Sequence, residues 1–142
     1  MTQQMGSDKG AIDDPLTYSI IGCAMKVHRE LGQGFQEIIY QRCLAIELEK
    51  SGLTFTREKE CNIFYEGQIV GNRRADFIVN NKVIVEIKAL INIEDIHFLQ
   101  SKNYLMLYNF PTGLLINFGA PSLQVKKIFN PKYQPQNPIK SN

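Results

Sequence analysis

The stretch that decides the fold is Asp76-Phe-Ile-Val-Asn-Asn-Lys-Val-Ile-Val-Glu86-Ile-Lys88, two apolar strand-like segments joined by an asparagine turn. Glu86 and Lys88 are two residues apart on the second segment, so their side chains share one face of a strand. Burying a carboxylate and an ammonium group is costly unless they pair or bind a metal. The stretch therefore predicts either a metal site or a buried salt-bridge cluster with Asp76, and the pattern alone leaves both open.

The turn decides whether Asp76 can join Glu86. A two-residue turn at 80–81 would pair Val79 with Lys82 and place Asp76 on the face away from Glu86. A shared site instead requires a loop of odd length or a bulge. Asparagine tolerates the left-handed backbone conformation that such a loop uses. The metal-site hypothesis thus carries a register requirement that the structure can test.

In that register, Asp76, Glu86 and the backbone carbonyl of Ile87 would offer oxygen ligands, which suit Mg²⁺ or Mn²⁺. A metal held there polarises a phosphate and lowers the pKa of a bound water. Lys88 would stabilise the negative charge that develops during attack. The chemistry predicted from these residues is hydrolysis of a phosphodiester.

Length and composition set broad limits on the class of protein. The 142 residues suit one domain, and a net charge of +2 neither demands nor excludes a nucleic-acid partner. The three cysteines form no CxxC pair, which argues against a zinc site or a disulfide framework. No run of 18 apolar residues occurs, so no membrane partner is expected. We expect a cytoplasmic protein, and the sequence also allows a homodimer.

The remaining segments predict the order α-α-β-β-β-β-α-β-β, typical of a mixed α/β (α+β) fold with one sheet covered by helices. The predicted helices begin at Asp14-Pro15, near Gln36 and near Ile93. The predicted strands cover 53–56, 61–65, 74–79, 83–88, 113–118 and 123–129. One domain is expected over residues 13–129, between a flexible leader (1–12) and a flexible tail (130–142).

Three further motifs accompany the hairpin: Gly34-Phe-Gln-Glu37-Ile-Ile-Tyr40, Gln100-Ser-Lys-Asn-Tyr104 and Gly113-Leu-Leu-Ile-Asn-Phe-Gly119. With Arg74-Ala-Asp76 and Glu86-Ile-Lys88, they resemble the GxxExxY family, which is assigned to the PD-(D/E)XK nuclease superfamily. The resemblance spans about residues 15 to 129. It implies a restriction-endonuclease-like core, in which a central mixed sheet is flanked by helices.

The resemblance also implies roles for single residues. Glu37, Asp76, Glu86 and Lys88 would be catalytic, and Glu37 would hold a metal directly or through water. Gln100 and Tyr104 would contact nucleic acid or brace the site, and their spacing is similar to that in RecB-like exonucleases. From the residues alone, Glu37 also suits a plain helix-start carboxylate, and a tyrosine on such a helix face can simply be packing.

Basic residues could supply a phosphate-binding track: Arg73, Arg74, Lys102, Lys126 and Lys127. Among them, Arg74 adjoins the acidic motif and is the predicted substrate-binding arginine, although scattered surface charge explains the set equally well. The predicted function is a metal-dependent nuclease acting on DNA in preference to RNA. The alternative is a catalytically silent nucleic-acid-binding or assembly module that keeps the nuclease fold.

Overall fold

The computed structural model describes residues 14–135, and its first two elements are the helices α1 (Pro15–Leu31) and α2 (Glu37–Lys50). Asp14 caps α1 as predicted, because its carboxylate accepts from the Leu16 N–H at 3.1 Å and the Thr17 hydroxyl at 2.6 Å. Gly32 ends α1 with a φ of 70°. The predicted leader lies outside the described residues.

A five-stranded sheet and one further helix complete the fold. The strands are β1 (Phe55–Tyr65), β2 (Gln68–Val79), β3 (Val83–Lys88), β4 (Thr112–Asn117) and β5 (Gln124–Phe129), and α3 (Asp95–Tyr108) lies between β3 and β4 in the chain. The strands are ordered β1-β2-β3-β4-β5, with β3 and β4 parallel and the other neighbours antiparallel. This mixed sheet flanked by helices confirms the predicted fold class.

The prediction of two separate strands at 53–56 and 61–65 is wrong, because one long strand, β1, pairs with β2 from Phe55 to Tyr65, with Glu58 left out of the ladder. Every side chain of β1 is exposed or half-buried, so the strand has no alternation of buried and exposed positions. Glu58 adopts a left-handed conformation with a φ of 52°. This residue interrupts the period-two pattern without ending the strand.

The β2–β3 loop meets the register requirement of a shared site. It contains three residues, 80–82, between the paired residues Val79 and Val83, and Asn80 and Asn81 have φ angles of 50° and 56°. Ile78 then pairs with Ile84 and Phe77 with Val85, where the ladder ends. If this register continued for one more residue, it would set Asp76 opposite Glu86.

Helices cover both faces of the sheet, but unequally. The face under α1 and α2 holds the larger core, which includes Ile20, Tyr40, Leu44, Phe77 and Val85. The face under α3 holds a smaller cluster of six buried residues: Ala75, Ile78, Ile84, Leu105, Leu115 and Ile128. Strand β3 is therefore buried on both sides, and the charged side chain of Glu86 has to be accommodated inside. None of the helices within residues 14–135 is both long and apolar enough to cross a bilayer.

Ordered contacts continue past Phe129, beyond the predicted end of the domain. The Asn130 side-chain amide donates to the backbone carbonyls of Phe110 at 3.1 Å and Leu105 at 3.4 Å, at the end of α3. Asn109 and Gln134 exchange two hydrogen bonds. These polar contacts follow no periodic pattern, so the sequence gives no sign of them. The part of the predicted tail after residue 135 lies outside the described residues.

Candidate metal centre

Asp76 lies where the pairing of β2 breaks. It takes no partner in the ladder with β1, and the ladder with β3 ends at Phe77. Phe77 belongs to the core under α1 and α2, whereas Ala75 belongs to the cluster under α3. Two residues of one strand that are two apart normally share a face. The strand therefore twists at Asp76, whose carboxylate lies close enough to β3 to accept from the backbone N–H of Ile87.

Two donors hold that carboxylate. Its Oδ2 accepts from the backbone N–H of Ile87 at 2.8 Å, and its Oδ1 accepts from the side-chain amide of Gln41 at 3.0 Å. Gln41 is buried on α2 and accepts in turn from Arg57 at 2.8 Å. Helix α2 thus positions the carboxylate through Gln41, a role that sequence reasoning missed. The available signal was a glutamine four residues after Glu37, on the same helix face.

Glu86 is the buried acid of the site, with 6% of its surface exposed. Its Oε1 accepts from Arg73 Nη2 at 2.8 Å, while its Oε2 is buried and has no hydrogen-bond partner. Burial raises the pKa of Glu86 to about 7; the charge of Arg73 opposes this rise, and the charge of Asp76 adds to it. Burial also raises the pKa of Asp76, against the hydrogen bonds from Ile87 and Gln41.

An unpartnered carboxylate oxygen beside a second carboxylate fits a hard divalent cation, which takes oxygen ligands and neutralises both charges. The residues that would hold it are Asp76, Glu86 and the carbonyl of Ile87. Within residues 14–135, no group of three or more acidic, histidine or cysteine side chains converges as a ready-made metal site. The donor set is therefore two carboxylates with room for backbone and water ligands, which suits Mg²⁺ better than a closed transition-metal site.

Lys88 is half-buried at the end of β3, two residues after Glu86 and so on the same face. Its positive charge lowers the pKa of both Asp76 and Glu86, so the three groups share one electrostatic environment. The ammonium group makes no ion pair with any residue of the described part of the chain.

Glu37 and Arg74 lie outside this cluster of contacts. Glu37 is the exposed first residue of α2, and no described residue bonds its side chain; it shares a helix face with Gln41. Arg74 is exposed and lies 3.8 Å from both Glu58 and Glu60 on β1. The arginine that lies beside the carboxylates is instead Arg73, which precedes Arg74 and faces the other side of β2.

Helix α3 brings Tyr104 to the site. The guanidinium carbon of Arg73 lies 4.2 Å from the centre of the Tyr104 ring, a cation–π contact. Tyr104, Ser101 and Glu86 line a cavity of about 10 Å³, enough for about one water. Gln100 is exposed on the preceding turn, and no described residue bonds its side chain. Of the two predicted α3 residues, the structure therefore brings Tyr104 to the carboxylates, and Gln100 makes no contact with them.

A buried asparagine fixes the chain that follows Lys88. The side chain of Asn117 accepts from the Leu90 N–H and donates to the Leu90 carbonyl, both at 2.8 Å. A Cβ atom on Gly119 would lie 2.4 Å from the Leu90 carbonyl oxygen, so this position admits only glycine. The motif at 113–119 therefore holds the end of β3 in place.

This geometry agrees with comparisons to known proteins. The family model of the PD-(D/E)XK nuclease superfamily matches residues 14–128, and the chain belongs to that superfamily. The crystal structure of SSO0001 superposes with a TM-score of 0.52 at 24% sequence identity, over 67% of this chain and 50% of that one. The chain thus spans half the length of that protein, and the likeness shows a shared fold alone. No curated protein matches the sequence.

Proposed function

We propose that this protein is a metal-dependent nuclease of the GxxExxY type that hydrolyses phosphodiester bonds in nucleic acid. The observation that carries the proposal is the buried, unpartnered Oε2 of Glu86 next to Asp76 and Lys88. An oxygen left without a partner in the interior is costly, and a bound cation removes that cost. We propose DNA ahead of RNA because the spacing of Gln100 and Tyr104 resembles that of RecB-like exonucleases.

Each residue has a defined task in this proposal. Asp76, Glu86 and the carbonyl of Ile87 hold Mg²⁺ or Mn²⁺, which when bound supplies a polarised phosphate and a water of lowered pKa. The Ile87 N–H and Gln41 fix the angle of the Asp76 carboxylate. Lys88 donates to the oxygen on which negative charge develops. Tyr104 and Gln100 contact the nucleic acid.

Glu37 contributes less directly: from the start of α2 it would bind a water molecule held by the metal, or a second metal ion. Its exposure and its position one turn before Gln41 support a contact through solvent. Glu37→Gln should therefore lower the cleavage rate more than it lowers the affinity for a first Mn²⁺ ion. An unchanged rate would reduce Glu37 to a helix-start residue.

The second candidate is a silent binding or assembly module, and the Arg73–Glu86 ion pair favours it. A carboxylate that is already paired at 2.8 Å can be a structural salt bridge that needs no metal. The two candidates differ in their response to divalent cations. Only the nuclease proposal expects both a metal-induced rise in stability and cleavage.

Thermal melts with Mg²⁺ or Mn²⁺ test the proposal first. A ligand at 100 times its Kd stabilises the folded state by about 2.7 kcal/mol, so a clear rise in Tm is expected. Asp76→Ala should abolish the rise. Glu49→Ala, which removes an exposed carboxylate from α2, should keep it.

Cleavage assays on linear, circular and single-stranded DNA and on RNA then identify the substrate. A metal-dependent rise in Tm without cleavage of any substrate would favour the silent module. Absence of both a rise in Tm and cleavage would rule out the metal centre.

A further inference from the structure

Arg73 is the one cation that hydrogen bonds Glu86 in the described structure, and its geometry is incomplete. Arginine and carboxylate groups often pair through two parallel hydrogen bonds. Here a single contact of 2.8 Å joins Nη2 to Oε1, while Arg73 Nε and Glu86 Oε2 are both buried and unpartnered. Each member of the pair therefore has one unused polar atom beside the site.

We infer that Arg73 pairs with Glu86 when no metal is bound. When a metal binds to Glu86, Arg73 instead binds a phosphate oxygen of the nucleic acid. The inference rests on the proposed nuclease function and gives Arg73, which the sequence could place only among scattered basic residues, a defined phosphate contact. Arg74 cannot take this place, because it faces Glu58 and Glu60 across β1.

Electrostatics supports the change of partner of Arg73 from Glu86 to a phosphate. A divalent cation on Glu86 Oε2 would stand close to the Arg73 guanidinium, and the two positive charges would repel each other. Arginine remains charged at all relevant pH values, so a half-buried Arg73 displaced from Glu86 is available to another anion. A phosphate supplies two oxygens in the planar spacing that a guanidinium fork matches.

Tyr104 keeps the guanidinium in place during the exchange. Its ring lies 4.2 Å from the guanidinium carbon, and it contacts the face of the group, whereas Glu86 accepts from Nη2. A cation–π contact restricts the plane of the guanidinium group but leaves its N–H donors free to bind an anion. Tyr104 thus holds Arg73 beside the carboxylates whether or not a metal is bound.

The inference predicts effects of opposite sign on two affinities. Without nucleic acid, Arg73 competes with the metal for Glu86, so Arg73→Ala should bind Mn²⁺ about tenfold more tightly, since a charged hydrogen bond is worth about that much. With Ca²⁺, which takes the same oxygen ligands, Arg73→Ala should bind a short DNA oligonucleotide about tenfold more weakly. An arginine that only braced Glu86 would weaken the affinity for Mn²⁺ when removed.

Titration calorimetry with Mn²⁺ and fluorescence anisotropy with a labelled oligonucleotide, single-stranded and duplex, measure the two affinities. Arg74→Ala is the matched control and should leave Mn²⁺ affinity unchanged. Arg73→Lys keeps the charge without the planar fork, so it should retain near-normal Mn²⁺ affinity and lose DNA affinity. If Arg73→Ala does not fold, the DNA affinity of Arg73→Lys tests the phosphate role.

The outcomes separate the inference from the proposed function. Mn²⁺ binding by the unchanged protein that is lost in Asp76→Ala supports the metal centre, whatever Arg73 does. Weaker or equal Mn²⁺ binding by Arg73→Ala would overturn the inference and leave the metal centre standing. Unchanged DNA affinity in both Arg73 variants, or no DNA binding by the unchanged protein, would overturn the phosphate role.

Discussion

At the scale of single residues, burial sets the charge of Glu86. Its pKa is raised from 4.5 to about 7, so the folded protein holds this proton more tightly than the unfolded chain does. The stability that comes from neutral Glu86 is fully present below pH 4.5 and is lost as the pH rises through 7. The metal-free protein should therefore lose stability across this window, by up to about 1.4 kcal/mol per pH unit from this group.

Urea melts at a series of pH values measure this loss. Glu86→Gln cannot ionise, so its free energy of unfolding should fall less steeply over the same window. Glu49→Gln, at an exposed position, should follow the unchanged protein. Parallel curves for Glu86→Gln and the unchanged protein would contradict the raised pKa.

Lys88 and Asp76 should differ in what their removal costs. A cation is no metal ligand, so Lys88→Ala should abolish turnover and leave Mn²⁺ affinity largely intact. Asp76→Ala removes one of two carboxylate ligands and should lose both turnover and Mn²⁺ affinity. Calorimetry with Mn²⁺ beside a cleavage assay measures the difference. Equal losses of Mn²⁺ affinity would show that Lys88 mainly braces the carboxylates.

The residues of this centre differ in how well their roles can be predicted from the sequence. Glu86 and Lys88 stand out because charges two apart interrupt an apolar strand, and the odd-length loop that Asp76 requires could be stated in advance. Arg73 could not be told from Arg74, because the twist at Asp76 changes which face each position of β2 takes. Side-chain partners across the sheet depend on that twist rather than on spacing.

At the scale of elements, α3 presents Gln100 and Tyr104 one turn apart. Gln100 is exposed and unbonded within the described chain, whereas Tyr104 contacts Arg73. An exposed amide contributes little to stability but can donate to a phosphate oxygen. Gln100→Ala should therefore weaken DNA binding and leave both Mn²⁺ affinity and Tm nearly unchanged.

Thermal melts and anisotropy on the same Gln100→Ala preparation test this expectation. Asn103→Ala, another exposed polar residue of α3, is the control for general effects on the helix. A loss of stability above about 2 kcal/mol with normal cleavage by the remaining folded protein would show that Gln100 packs the helix instead.

The predicted helix starts agree with the structure within two residues, and at α1 the local signal is Asp14, whose side chain caps the helix. Element β1 was missed as one strand because it gains its order from pairing with β2, not from burial. The hydrogen bonds of Asn117 were also missed. They join the β3–α3 connection to β4, and a lone buried amide carries no periodic signal.

At the scale of the whole molecule, the two faces of the sheet are not equally stable. Helices α1 and α2 share a large buried cluster, whereas α3 buries only Ser101 and Leu105 of its own residues. Local opening is easiest where few apolar contacts are lost. Helix α3 should therefore open without global unfolding, and such opening uncovers Glu86, which lines the cavity beneath it.

Native-state hydrogen exchange tests this order of opening. Amides of α3 should exchange with a lower free energy of opening than those of α2. Leu105→Ala, which removes the main apolar contact of α3, should speed exchange in α3 and leave the rate in α2 nearly unchanged. Leu44→Ala, in the larger cluster, should cost 2–5 kcal/mol of global stability, roughly the range for a buried leucine, and speed exchange in every element that exchanges by global unfolding. If Leu105→Ala sped hydrogen exchange equally in α1, α2 and α3, the helices on the two faces of the sheet would form one cooperative unit. Access of metal to Glu86 would then not depend on the motion of α3.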